Sequence, residues 1–153
     1  MIRRTVLMLM FAVALPGLAA ANDDFVIKPS AHSVQETMDR LEAIVQEKDF
    51  VVIARVDHAA AAASVDMELA ANQVLIFGKP ALGTPLMAKN PLIGIDLPIK
   101  VVVYEDADGN VWLAYAKPEA LIVERYGIEG EAERIEMMNK GLGGMTDAAT
   151  SGG

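Results

Sequence analysis

Residues 22–140 predict one small layered α+β domain: a mixed or antiparallel sheet that includes a C-terminal hairpin, with helices packed on it. Three observations carry that expectation. Short β-branched runs, FVVIARV (50–56), QVLIFG (73–78) and IKVVVYE (99–105), alternate with segments of helical period. Their order is strand, helix, strand, helix, strand, short helix, hairpin, helix, which departs from the strict alternation of a doubly wound sheet. Finally, two strand-like runs meet around Asp108-Gly109 closely enough to pair as a hairpin.

The chain opens MIRRTVLMLMFAVALPGLAAANDD. Two arginines, an apolar run and then small residues with alanines at 19 and 21 make a secretory signal pattern, with cleavage expected after Ala21. Pro16-Gly17 interrupts the apolar run well short of the roughly 20 residues a membrane span requires, so no transmembrane anchor is expected after cleavage. DDFVIKP (23–29) then reads as a first strand. Ser33 followed by Glu36 is a capping box, and Val34, Met38, Leu41 and Val45 recur at helical spacing behind it. In the next strand, strict alternation would put Phe50, Val52, Ala54 and Val56 on one face, with Val51, Ile53 and Arg55 on the other. Asp57 can cap a helix that starts at His58 and runs through five alanines. After the strand at 73–78, Thr84 and Pro85 suggest the cap and first residue of a short helix ending before Pro91. The hairpin arms span 99–116, and a helix of about two turns follows from Pro118 to a stop at Gly127, extendable over 129–140. GLGGMTDAATSGG (141–153) has the composition of a flexible tail.

Cleavage removes Arg3 and Arg4, leaving 11 basic against 21 acidic residues and a formal charge of −10. Such a domain offers phosphate backbones no lysine and arginine cluster, so nucleic acid is not an expected partner. The absence of cysteine excludes disulfides, thiolate catalysis and thiolate metal sites. His32 and His58 have no metal-ligand spacing, and no metal site is predicted. Methionines 38, 67, 87, 137, 138 and 145 are scattered apart from one adjacent pair, so most read as core filler, with a thioether site for copper or haem as the weaker alternative. No phosphate loop, dinucleotide fingerprint or nucleophile elbow is present, and no cofactor is predicted.

The remaining polar residues group at strand ends. His58 lies just past one strand, Asp96 precedes another, and Lys100 and Tyr115 belong to the hairpin. A first-turn histidine feels the positive end of its helix, which favours neutral imidazole, whereas nearby Asp57 and Asp96 would favour the proton. That balance makes His58 the candidate anchor of a small-molecule site, with Asp96, Lys100 and Tyr115 as polar neighbours and Phe77, Met87 and Leu97 as apolar walls. Arg55 is a further candidate, with ion pairing its default role. Lys79, between Gly78 and Pro80, reads as a solvated turn charge, with a ligand-facing position as the alternative. The bland alternatives are a loop hydrogen bond for His58 and a turn acceptor for Asp96.

LIFGKPALGTPLM (75–87) followed by GIDLPIKVVVYEDADGNVWLAY (94–115), together with RVDHAAAA (55–62) and Tyr115 with Pro118, resembles the DUF302 family of domains of unknown function. Lys79 and Ala116 replace asparagines usual in that pattern. The resemblance implies a compact α+β domain, often homodimeric, with no established general activity, and it supports grouping His58, Asp96, Lys100 and Tyr115. The expectation is therefore an exported periplasmic domain that binds a small molecule or serves as an accessory, and forms a homodimer because its strands are apolar on both faces. Two alternatives stand beside it. One is an enzyme using His58 for acid–base chemistry, which requires Asp96 or Tyr115 within reach; the other is a periplasmic protein interaction module, marked by an exposed apolar patch.

Overall fold

The computed structural model describes residues 23–152, so the expected signal segment, 1–21, lies outside the described residues. Five strands, β1 (Phe25–Pro29), β2 (Val51–Asp57), β3 (Asn72–Gly78), β4 (Ile99–Glu105) and β5 (Val111–Ala116), form one antiparallel sheet in the order β1-β5-β4-β3-β2. Helix α1 (Val34–Glu47) joins the two edge strands, and it packs on the sheet beside the C-terminal helix α4 (Ala132–Thr150). The α+β expectation holds, with the sheet wholly antiparallel.

Ser33 caps α1 by accepting the Glu36 N–H at 3.2 Å. The Glu36 carboxylate pairs with His32 Nδ1 at 2.9 Å. Val34, Met38, Leu41 and Val45 are buried, as their spacing predicts. Asp57 caps α2 (His58–Ala63) through the Ala60 N–H at 2.9 Å. In the hairpin, Gly109 takes a φ of 81°, the left-handed region that glycine enters without steric cost. Asp106 organises this turn by accepting the backbone N–H groups of Asp108 and Asn110, each at 2.9 Å, and the Trp112 indole N–H at 2.7 Å. Those donors, the indole first, hold the Asp106 carboxyl down to about 2.

Three sequence expectations change. First, a bulge between Val52 and Ala54 reverses the alternation in β2. Val52 pairs with Phe77 and Arg55 with Leu75, so Arg55 lies on the same, helix-covered face as Val52. Second, α3 (Pro80–Lys89) starts five residues before Pro85, with Pro80 in its first turn. Pro85 inside a helix leaves the carbonyl four residues earlier without an N–H, and Arg134 Nη1 lies 3.4 Å from that Ala81 oxygen. Third, residues 141–150 are not a flexible tail but the second half of α4. Leu142, Met145 and Ala149 are buried there, and Lys28 ties the helix to β1 through Thr146 Oγ1 at 2.8 Å and Asp147 at 2.6 Å. Arg40 adds bonds to the Ala148 and Ala149 carbonyls at 3.1 and 3.2 Å. Tertiary packing overrides the weak helix propensity of three glycines.

The buried core divides in two. A main cluster joins α1, α4 and the helix-covered face of the sheet, with Leu75, Phe77, Val101, Val103 and Leu113 at its centre. A smaller cluster of Leu86, Ile93, Ile122, Ile128 and Met138 joins α3, a 3-10 turn (Pro91–Ile95), a π-helical segment (Ala120–Arg125) and α4. That segment occupies the place of the predicted helix at 118–128, and Gly127, at φ 61°, marks its stop as expected. On the opposite face of the sheet the register aligns Val56, Val74, Val102, Ala114 and Ile27 in one apolar row across all five strands.

Candidate functional site

At the seam between the two core clusters lies a cavity of 590 Å³. The sheet supplies Phe77 and Ile99 from β3 and β4, with Phe50, Val51 and Ile53 along the β2 edge; α3 supplies Leu82 and Met87. Helix α4 closes the remaining side with Met137, Met138, Gly141, Leu142 and Met145. Their spacing of one, three, one and three residues puts all five on one helical face. Phe50 stands edge-on to Phe77, ring centroids 5.9 Å apart, which fixes the inner wall. Outside the lining, Glu131 pairs with Lys89 at 2.6 Å and with Arg134 at 2.7 Å, and Arg134 Nη1 also reaches the Leu82 carbonyl at 3.4 Å. These two cations, Lys89 first, hold the Glu131 carboxyl below its ordinary value.

Polar chemistry is sparse in this space. Its lining includes one charged side chain, Lys79, and one hydroxyl, Thr84. The Lys79 ammonium lies 5.5 Å from the centre of the Phe50 ring, within cation–π range. By contrast, Val51, Ile53 and Met137 at the mouth are each more than half exposed. Apolar side chains converge on an opening and remain in water there.

The seven residues singled out from sequence divide among several places. Phe77 and Met87 line the cavity, as does Leu97. His58 and Asp96 do not meet: Asp57 pairs with Gln73 at one end of β3, whereas Ile99, three residues after Asp96, pairs with Phe77 near the other. Asp96 instead accepts the Tyr126 hydroxyl at 2.6 Å and Arg125 Nη1 at 3.1 Å, contacts that keep its carboxyl below the ordinary value, Tyr126 contributing most. Lys100 lies near it, donating to the Ile95 carbonyl at 3.3 Å. Tyr115 is on the other side of the sheet from Lys100, because it pairs with Val101. It is buried against the helices, and burial pushes its hydroxyl pKa up. Arg55 pairs with Asp39 at 2.6 Å and Glu42 at 3.1 Å while donating to Gln73 at 2.7 and 2.9 Å, so pairing is its role. The Arg55 hydrogen bond is the main cause holding the Asp39 carboxyl below its ordinary value.

The imidazole thus shares no enclosure with the IDLP carboxylate or the hairpin tyrosine, whereas Asp96, Lys100 and Tyr115, the last with its ring turned to the helix side, all border a space of 360 Å³ beside Val74, Val102 and Leu121. Reading 141–153 as tail hid the α4 wall, although Met138, Leu142 and Met145 recur at helical spacing. Among the described residues no cluster of three or more metal-ligating His, Asp or Glu side chains occurs, and no helix is long and apolar enough to cross a membrane.

A family model, Domain of unknown function DUF302, matches residues 26–142. The chain belongs to the DUF302 family. A solved DUF302 protein from Bacillus stearothermophilus, described as an uncharacterised conserved protein, superposes with a TM-score of 0.73 at 21% identity, covering 84% of this chain and 99% of that one. At that identity the likeness establishes the shared DUF302 fold. Two Brucella proteins, from B. suis and B. abortus and each named Fluoride-specific ion channel FluC 1, are 36% identical over 136 residues, or 88% of this chain. The match covers 53% and 50% of their lengths, so this DUF302 chain spans about half of those relatives.

Proposed function

We propose that this protein is an exported, periplasmic DUF302 domain that binds a small apolar molecule in the cavity between the sheet, α3 and α4. The carrying observation is that cavity: 590 Å³, within the range of about 300–1,000 Å³ common to small-molecule sites, and walled by hydrocarbon and thioether groups. Exposed Val51, Ile53 and Met137 supply the driving force, since each apolar Å² removed from water contributes about 25 cal/mol. Binding is favoured over acid–base catalysis because the lining offers a lysine and a threonine rather than a paired acid and base. The test uses an environment-sensitive apolar dye titrated into the purified protein. Saturable enhancement at about one dye per chain, abolished when Leu142→Trp fills the cavity, is expected; equal fluorescence with both proteins rejects the site.

A second copy of the chain is the proposed macromolecular partner, through the apolar row on the face of the sheet opposite α1 and α4. The Brucella relatives favour a second functional reading, that of an accessory domain for a membrane ion channel, because the matched region makes up about half of proteins named as such. Fluoride flux through liposomes carrying the B. suis relative, intact, lacking its matched half or with that half exchanged for this chain, distinguishes the readings. Unchanged flux in all three rejects the channel role.

A further inference from the structure

We infer that the cavity's ligand is an anionic amphiphile, with its hydrocarbon chain between β2, α3 and α4 and its charged head at Lys79. This rests on the binding reading above and adds the ligand's chemical class. Two features at the same rim carry it. Lys79 is the charged residue of the lining, and its ammonium stands over Phe50 and, among the described residues, in no ion pair. The same residue is the N-cap of α3, which has no side-chain cap and no acidic residue in its first turn. The positive end of the helix dipole is therefore uncompensated where Lys79 through Gly83 line the cavity. In a chain carrying 21 acidic against 13 basic residues, a ligand mouth free of carboxylates and marked by a lysine selects a negative head group.

The hydrocarbon side is equally specific. Four methionines, 87, 137, 138 and 145, line the cavity, and their unbranched, adaptable side chains fit a flexible chain of variable shape. Gly141 faces the same space, where a Cβ would meet nothing within 4 Å. A glycine inside a helix costs about 1 kcal/mol relative to alanine. At this position its absent side chain leaves room for the occupant.

Calorimetric titration of the purified protein with dodecanoate, dodecanol and dodecylammonium, each below its aggregation concentration, tests the inference. Dodecanoate is expected to bind at least tenfold more tightly than dodecanol, and dodecylammonium most weakly. Lys79→Met, at an exposed site, is expected to bring dodecanoate to the affinity of dodecanol, and Lys79→Glu to reverse the preference toward the ammonium. Gly141→Leu is expected to abolish binding of all three while raising the melting temperature, which separates blockage from misfolding. Equal affinities for acid and alcohol, unaltered by Lys79→Met, overturn the anionic head and leave apolar binding standing. Absence of binding by all three overturns both. If Gly141→Leu also changes the sedimentation coefficient, a second copy fills the cavity and the amphiphile is rejected.

Discussion

Two residues show how polar groups are fixed in this fold. Gln73 is 7% exposed and accepts two guanidinium hydrogen bonds from Arg55 through its Oε1. Arg55→Leu would leave that oxygen facing Leu in a buried site, an omission that costs about 1–3 kcal/mol; chemical denaturation should show a loss of that size with an unchanged slope. Asp106 makes a different prediction. Its folded pKa of about 2 lies below the ordinary 3.8, so it stabilises the fold above the higher value, and that contribution is lost as pH falls toward the lower. Asp106→Asn retains a carbonyl acceptor for the turn's N–H groups but no longer titrates. The variant should therefore lose less stability than the parent between pH 4 and pH 2, as followed by circular dichroism during thermal melts at each pH.

At the scale of elements, helix α4 shows where local composition and tertiary structure diverge. Gly144 is exposed, and a Cβ there would meet nothing within 4 Å. Gly144→Ala should stabilise the protein by about 1 kcal/mol, read as a raised denaturation midpoint. The glycines are what make 141–153 look like tail, whereas the bonds from Lys28 and Arg40 that hold this half of the helix come from residues more than a hundred positions away. Sequence periodicity cannot register such partners. It does register α1, whose apolar spacing and Ser33 cap are local, and the hairpin, whose turn needs Gly109. Of the site, the apolar walls Phe77 and Met87 were legible as large apolar residues near the Gly78 and Pro80 turn. Its polar membership was not: the β2 bulge turns Arg55 toward the helices, and β3 keeps His58 and Asp96 apart. A single inserted residue in a strand reverses every side-chain direction beyond it.

For the whole molecule, the decisive asymmetry is between the two faces of the sheet. One is covered by α1 and α4; on the other Val56, Val74, Val102 and Ile27 lie half-buried in a continuous row with buried Ala114, flanked by α2 at β3 and by Leu121 of the π-helical segment. Five strands about 4.8 Å apart and six residues long give a footprint of roughly 500 Å². Two such faces meeting would bury about 1,000 Å², at the small end for a specific interface, so a reversible dimer is expected rather than an obligate one. Val102 is central because β4 is the middle strand of the five. Val102→Lys would set a charge from each copy at the heart of the proposed contact, costing about 2 kcal/mol or more, a factor of about 30 in the dimer dissociation constant. Sedimentation velocity over a range of concentrations should show dimer for the parent and monomer for the variant, with the same circular dichroism spectrum. The cavity is on the other side of the sheet, so the monomeric variant should still bind the apolar dye; loss of both properties together would mean that the sheet's two faces do not act independently.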